Sequence, residues 1–240
     1  MSEQERTDRF ELFAAVLLGM AAIFTALASF QAGLWDGKMV EGYGKSNKIA
    51  TSAASEQSRA IVEMSKDASV DVSAMRLILE ADNASPATQE LNYEVATYLY
   101  TKQMSDAGYK ALGLPPEAKK EDKESATEAD AADKLAGLKE EILEKAMEKD
   151  LADDENYRKE MLSKSQAQTE ESEKIFKEGI QANETGDSFE LANVIFAMSL
   201  FFAGISLVMK TNIRWTLLCI GGVFFICGAV FMLTLSWTFS

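Results

Sequence analysis

The chain has 240 residues, of which 24 are Lys or Arg and 38 are Asp or Glu, and it contains no histidine. The lack of histidine excludes Ser–His and Cys–His nucleophile pairs and histidine zinc ligands. The mean hydropathy of −0.10 is an average over three nearly uncharged apolar runs and one acidic segment. That segment carries nearly all of the net charge of −14. We therefore expect a membrane protein with an acidic extramembrane domain.

The first apolar run, residues 12–35, follows a short tail of residues 1–11. It is long enough to cross a bilayer as a helix. Ala26-Leu27-Ala28 has the form of a signal-peptidase site, so a cleaved signal peptide is the alternative. The excess of acid in the tail and the length of the run favour an uncleaved span.

Small residues recur along this run at intervals of three and four, which places them on one face of a helix. In lipid, helices associate by close backbone packing, which small residues permit. The pattern predicts a helix-packing face, used either within the subunit or between subunits. Its members are Ala15, Gly19, Ala22, Ala26, Ser29 and Gly33, and residues that could pack against them are Ser199, Ala203, Ser206, Gly221 and Gly228.

Three polar or amphipathic residues mark the end of this run. Gln31 is polar at membrane depth, where such groups usually face protein or water. It would therefore line a pore, bond a neighbouring helix or lie at the interface. Trp35 is typical of an interfacial anchor, and Asp36 is the first charge after the run.

The acidic segment, residues 36–188, is predicted to be helical. Apolar residues at helical spacing predict one amphipathic face, and Pro86 is suited to the first position of a helix after the turn at residues 83–85. A loop is expected near residues 113–127, where Gly113, Pro115 and Pro116 interrupt the pattern. The predicted apolar face comprises Ile61, Met64, Ala68, Val72, Met75 and Leu79.

Residues 127–182 are predicted to form one long charged helix. Acid-first pairs such as Glu141–Lys145, Glu155–Lys159 and Glu160–Lys164 have the i, i+4 spacing that supports an exposed helix. Few large apolar residues accompany them. We therefore expect an elongated helical domain, with coiled-coil character, rather than a compact globule.

No catalytic, cofactor-binding or metal-binding motif is recognised in the chain. Gly44-Lys45-Ser46 ends like a phosphate-binding loop, but Met39 stands where that motif needs its first glycine. The acidic cluster at residues 150–155 fits no EF-hand loop. The acidic charge argues against a nucleic-acid partner.

The second and third runs are predicted to form a hairpin of two spans, residues 189–209 and 215–238, joined by a turn at residues 210–214. Gly186 is expected to end the preceding helix, and Asp187 to cap the second span. The short tail and turn carry Arg6, Arg9, Lys210 and Arg214. By the positive-inside rule they are cytoplasmic, and the acidic domain is extracytoplasmic.

The residues Phe30-Gln31-Ala32-Gly33-Leu34-Trp35-Asp36-Gly37 resemble the aromatic-Gln-Ala-x-x-Trp-x-Gly signature of a group of uncharacterised bacterial membrane proteins. Members of that group have an N-terminal span, a helical domain and a two-span hairpin. The second span, with Phe201-Phe202-Ala203-Gly204-Ile205-Ser206, is similar to theirs. The resemblance covers both ends of the chain and implies topology and a bacterial inner membrane, not an activity.

The sequence thus predicts an all-α protein with three transmembrane helices and an elongated helical extramembrane domain. Its expected role is that of a non-enzymatic scaffold, without cofactor, embedded in membrane lipid and self-associating through the small residues of the first span. Its charged helices would meet a protein partner. The alternative is an oligomeric channel or transporter subunit, in which Gln31 and Asp36 lie near the mouth and an acidic vestibule concentrates cations.

Overall fold

The structure is a computed structural model that describes residues 3–115, 128–149, 151–209 and 213–238. Of the described residues 92% are helical, and none of them lies in a strand, which confirms the all-α prediction. The α-helices are α1 (Glu3–Ala81), α2 (Pro86–Tyr98), α3 (Asp106–Ala111), α4 (Glu128–Glu148), α5 (Glu155–Val208) and α6 (Ile213–Thr234). A π-helical turn, Leu99–Gln103, follows α2, and a 3₁₀ turn, Leu151–Asp153, precedes α5.

The chain forms two compact units. Unit 1 comprises Met1–Lys48 with Glu171–Ser240, and unit 2 comprises Ile49–Glu170. Unit 2 is shorter than the predicted acidic segment of residues 36–188. Residues 36–48 and 171–188 instead belong to unit 1, together with the apolar runs. Helices α1, α5 and α6 each contain a stretch long and apolar enough to cross a membrane. This confirms the prediction of three candidate spans.

In unit 1, α1 turns an alanine face toward α5 and α6. Ala14, Ala21 and Ala28 recur every seven residues on this face, with Ala32 one turn further on, and all four are buried. Beside them the rings of Phe24, Phe196 and Phe225, one from each helix, lie with centroids 5.3–5.9 Å apart. The alanines allow the backbones to approach, and the aromatic rings fill the space between the three helices.

Glycines set the contact between α5 and α6. A Cβ atom on Gly221 would lie 3.1 Å from the carbonyl oxygen of Ser199, and one on Gly228 would lie 2.9 Å from the ring of Phe196. Ser199 and Ala203 of α5 lie against Gly221, and both are buried, as is Ser206. The small residues of the second and third spans therefore pack within the chain.

Helix α5 runs through residue 186 without a break, so the prediction that Gly186 ends a helix and that Asp187 caps the next is wrong. Gly186 instead permits close packing against α1. A Cβ atom at this position would lie 3.1 Å from Asp36 Oδ1 and 3.5 Å from the Trp35 Cβ. Intrahelical hydrogen bonds tolerate a single glycine at a modest cost, which the close helix contact offsets.

The third span ends earlier than predicted, since α6 stops at Thr234 and residues 235–238 are not helical. In the predicted turn 210–214, Ile213 and Arg214 belong to α6, and residues 210–212 lie outside the described residues. Leu235 N–H donates to the Met232 carbonyl at 3.3 Å, which closes the last turn. The chain then bends back toward α1.

The single long helix predicted over residues 127–182 is wrong, because α4 ends at Glu148 and α5 begins at Glu155. Asp154 starts the new helix: its Oδ1 accepts from Asn156 N–H at 2.8 Å and from Tyr157 N–H at 3.0 Å. These backbone donors lower the pKa of Asp154, as expected for an N-cap carboxylate. The i, i+4 pairs predicted on either side of the break do not depend on one continuous helix.

Two of those pairs form, Lys145 with Glu141 at 2.6 Å and Lys159 with Glu155 at 3.8 Å. The third does not. Glu160 instead pairs with Lys110 of α3 at 3.1 Å, and Lys164 pairs with Glu56 of α1 at 3.0 Å. Both of these ion pairs cross between elements of unit 2.

The apolar face predicted between Ile61 and Leu79 is only partly right, since Met64 packs against the core of unit 2 but other members do not. Ile61, Val72 and Leu79 are each more than half exposed. The buried face of α1 in unit 2 instead carries alanines, Val70, Ile78 and two aspartates. It packs against Tyr100, Tyr109 and Tyr157, so large aromatic side chains from the other elements supply the volume that the alanines lack.

Helix α2 begins at Pro86, as predicted, with Ser85 at the N-cap. Helix α3 ends in a Schellman motif at Gly113, which has a φ of +72°. The Gly113 N–H donates to the Lys110 carbonyl at 2.9 Å, and the Leu114 N–H donates to the Tyr109 carbonyl at 3.3 Å. Residues 113–115 lie outside a helix, and the remainder of the predicted loop, 116–127, lies outside the described residues.

Candidate functional site at the end of the first span

The small residues predicted to pack on the first span are all exposed, although the Ser29 hydroxyl accepts from Asn193 Nδ2 of α5 at 2.9 Å. Ala15, Ala22, Ser29 and Gly33 each directly follow a buried alanine, and adjacent residues point about 100° apart around a helix. A Cβ atom on Gly19 or Gly33 would meet nothing within 4 Å. We call this the outer small face: Ala15, Gly19, Ala22, Ala26, Ser29 and Gly33.

Gln31 is only 2% exposed, although it is a polar residue within an apolar run. Its Nε2 donates to the Thr238 carbonyl at 3.0 Å, and its Oε1 accepts from the Thr238 N–H at 3.1 Å. The amide thus satisfies both backbone groups of a residue that lies beyond the end of α6. Of the three sequence-based interpretations, this geometry matches a bond to a neighbouring element.

Trp35 and Lys38 extend this contact by one turn of α1. The Trp35 indole Nε1 donates to the Ser236 carbonyl at 3.0 Å. Lys38 Nζ lies 4.6 Å from the centre of the Trp35 ring and donates to Thr238 Oγ1. Gln31, Trp35 and Lys38 therefore hold residues 236–238, and we call these three residues the C-terminal clamp.

The clamp marks the level at which all three apolar runs end. Asp36 lies beside Gly186 of α5, and the rings of Phe189 and Trp237 meet edge to face with centroids 5.8 Å apart. Tryptophan and the first charges at one level are typical of a membrane–water interface. The predicted site residues Gln31, Trp35 and Asp36 are thus brought together at this level.

The opposite end of the bundle has a matching aromatic and cationic contact. Phe10 packs edge to face on Trp215 at 4.9 Å between ring centroids, and the Arg214 guanidinium lies 4.7 Å from the Phe10 ring centre. From Phe10 to Trp35 a helix rises about 38 Å. This span matches the hydrocarbon core of a bilayer together with part of its interfaces.

A surface groove of about 650 Å³ lies between α1 and α5 directly beyond the clamp. Trp35 and Ser236 line its end nearest the apolar runs, and Gly42 and Gly179 lie where the two backbones come close, since a Cβ on Gly42 would be 3.2 Å from the Gly179 Cα. Four charged side chains line it: Lys38, Glu41, Lys45 and Glu178. The sequence did not reveal this groove because its two walls are about 140 residues apart in the chain.

Unit 2 contains a second polar cluster that the sequence did not reveal. Asp67 is fully buried, and its Oδ1 accepts from the Ser105 N–H at 2.8 Å. Its Oδ2 accepts from the Ser105 hydroxyl and from the Tyr157 hydroxyl, the latter at 2.7 Å. A Cβ on Gly108 would lie 2.5 Å from the same oxygen, so the glycine makes room for the carboxylate. This arrangement fixes α3 and α5 on α1.

One turn further along α1, Asp71 is also buried and accepts from the Tyr100 hydroxyl at 2.9 Å. Burial, followed by the nearby carboxylate, raises the pKa of Tyr100 and of Tyr157 well above the ordinary tyrosine range. Burial and the charge of Glu141 raise the pKa of Tyr109 to about 12. These tyrosines therefore stay protonated as donors at neutral pH.

Within the described residues, no three or more Asp, Glu, Cys or His side chains are arranged to hold a metal ion. The exposed Cys219 and Cys227 are free thiols. Comparison of the chain with protein-family models, with curated proteins and with solved structures found no match.

Proposed function

We propose that the protein is a non-enzymatic integral membrane protein of a bacterial inner membrane that self-associates through the outer small face of its first span. One observation carries this proposal. The outer small face remains exposed after α5 and α6 have packed on the separate alanine face of the same helix. In lipid, a row of small residues is the surface on which a second helix can approach closely.

The proposed topology has the tail and the hairpin turn in the cytoplasm. Arg6, Arg9, Lys210 and Arg214 lie in these short segments, as the positive-inside rule requires. The acidic segment is then extracytoplasmic, where its charged helices present a surface to a protein partner. Protease treatment of spheroplasts tests this topology. If the acidic segment resists the protease in intact spheroplasts and is cleaved only after lysis, the topology is contradicted.

The contacts of Gln31 favour this proposal over a pore. A water path lined by Gln31 needs its amide to face the path, but both of its polar atoms bond the Thr238 backbone. Within the described parts of the spans, Asp, Glu, Lys and Arg are confined to the ends. Ion and substrate paths are usually marked by ionisable residues inside a span.

Self-association is tested by the mass of the detergent-solubilised protein. Gly19→Leu and Ala26→Leu place a bulky side chain on the outer small face, and we expect both variants to lose the oligomer. Ala197→Leu is the matched control, since it adds similar bulk at an exposed alanine of the second span. A monomeric wild-type protein, or equal loss in the Ala197→Leu control, would contradict the proposal.

A further inference from the structure

The surface groove beyond the clamp has a defined place relative to the bilayer. Its inner end is formed by Trp35 and Ser236, at the level where the apolar runs end, and its outer end reaches Lys45 and Ile175. A molecule in the groove would therefore lie in the headgroup region, with the apolar layer directly beneath it. A volume of about 650 Å³ is within the usual range of small-ligand sites.

The charges in the groove are ordered along the membrane normal. Lys38 follows Trp35 by one turn of α1, and Glu41 follows Lys38 by three residues, about 4.5 Å further out. Glu178 of α5 lies on the opposite wall, next to Gly179. The order from the apolar layer outward is thus an indole ring, a cation and then two carboxylates. Of these carboxylates, Glu41 is already paired with Lys45 at 2.5 Å. The remaining charges of the groove, Lys38 and Glu178, sum to zero.

We propose that this groove binds the phosphoethanolamine headgroup of a zwitterionic phospholipid. In such a lipid the phosphate lies nearer the acyl chains, and a two-carbon linker carries the ammonium outward. Lys38 would bind the phosphate, and Glu178 would bind the ammonium. Lys38 can do so while bonded to Thr238, because a lysine ammonium carries three donors.

The groove discriminates against the other common headgroups. An anionic headgroup without an ammonium would place its negative charge near Glu178 with no cation to bind that carboxylate, which costs free energy. A choline headgroup has no N–H to donate to this carboxylate. Choline is usually recognised by an aromatic cage, and the Trp35 face in this groove is already covered by Lys38. The primary ammonium of ethanolamine is the group that the Glu178 carboxylate fits.

The test titrates the full-length protein in neutral detergent with dioleoyl phosphatidylethanolamine, phosphatidylcholine or phosphatidylglycerol, and counts bound lipids by native mass spectrometry. We expect saturable binding of phosphatidylethanolamine, about tenfold tighter than that of the other two lipids. Equal binding of all three would overturn the proposal. So would free phosphoethanolamine that binds as tightly as the lipid, because the headgroup alone would then be the ligand.

Glu178→Gln removes one carboxylate of the groove and touches none of the clamp residues. We expect this variant to lose most of the preference for phosphatidylethanolamine, with a fall of about five- to tenfold in its binding. Glu184→Gln is the matched control, since Glu184 is exposed on the same helix and does not line the groove. An unchanged preference in Glu178→Gln would overturn the proposal. The oligomer mass is measured separately, so self-association can fail without affecting this test.

Discussion

The side-chain amide of Gln31 both donates to and accepts from the backbone of Thr238, which lies 207 residues away in the chain. These two hydrogen bonds join the end of the first span to the segment that follows the third. Gln31 and Thr238 are both buried, and a buried backbone group without a partner costs free energy, so an amide that satisfies both backbone groups stabilises the bundle. The clamp therefore joins the first span to residues 236–238 at one end of the bundle.

Gln31→Leu should destabilise the bundle, because it leaves the Thr238 N–H and carbonyl without their partner. Each buried polar group left unpaired costs about 1–3 kcal/mol. We expect a lower midpoint of thermal unfolding in detergent, followed by circular dichroism. Gln57→Leu, at an exposed position of the same helix, is the control. If both variants unfold at the wild-type temperature, the clamp does not stabilise the bundle.

Gly108→Ala should destabilise unit 2, because the new Cβ would lie 2.5 Å from Asp67 Oδ2. Overpacking of this kind typically costs about 1–3 kcal/mol. Gly137→Ala provides a control of opposite sign, since a Cβ at this helical position meets nothing within 4 Å. Alanine favours a helix over glycine by up to about 1 kcal/mol. Chemical denaturation of the two variants should therefore shift in opposite directions, and a shift in the same direction would count against the Asp67 packing.

Tyr157→Phe should destabilise unit 2 by about 1–3 kcal/mol, because the buried Asp67 loses a hydrogen-bond donor. Tyr98→Phe is the control, since Tyr98 is more than half exposed. A double-mutant cycle with Asp67→Asn isolates the interaction between the two residues. If the change in the free energy of unfolding of the double mutant equals the sum of the changes in the two single mutants, the hydroxyl and the carboxylate are not coupled.

Alkaline pH should destabilise unit 2. Burial raises the pKa of Tyr109 to about 12 and raises that of Tyr100 further. Since the folded state favours the protonated phenols, their stabilising contribution is complete below the ordinary tyrosine pKa of about 10 and is lost as the pH rises through about 12. Tyrosinate absorbance and circular dichroism, recorded together, should show these phenols ionising late and with loss of helix. Ionisation of all tyrosines near pH 10 with the helix retained would contradict this prediction.

The candidate spans could be predicted from the sequence because they depend only on local composition. A run of about 20 apolar residues is long enough to span a bilayer whatever it packs against. The helix start at Pro86 was predictable for the same reason, since proline fixes its own backbone angle and the residues around it need no distant partner. The sequence also singled out Gln31 and Trp35 as unusual residues, but it did not identify their hydrogen-bond partners.

The packing face of the first span could not be chosen from spacing alone. Ala14, Ala21 and Ala28 are as small as Ala15, Ala22 and Ser29, and both sets recur at helical intervals. Which set is buried depends on where the aromatic residues of α5 and α6 lie. Those positions are set by the tertiary structure. The same limit applies to Gly186, because a glycine can either break a helix or let two helices approach closely. In the structure α1 packs against Gly186, so this glycine permits close approach.

The buried face of unit 2 shows what only the tertiary structure decided. Asp67 and Asp71 lie among polar residues in the sequence, and the more apolar Ile61, Val72 and Leu79 made the better candidate face. Burial of a carboxylate is favourable only when donors satisfy it, and here the donors come from Ser105, Tyr157 and Tyr100. The sequence by itself determined the helices and the apolar runs, because those depend on neighbouring residues. The three-dimensional fold decided which faces are buried, because that depends on partners 29 to 90 residues away.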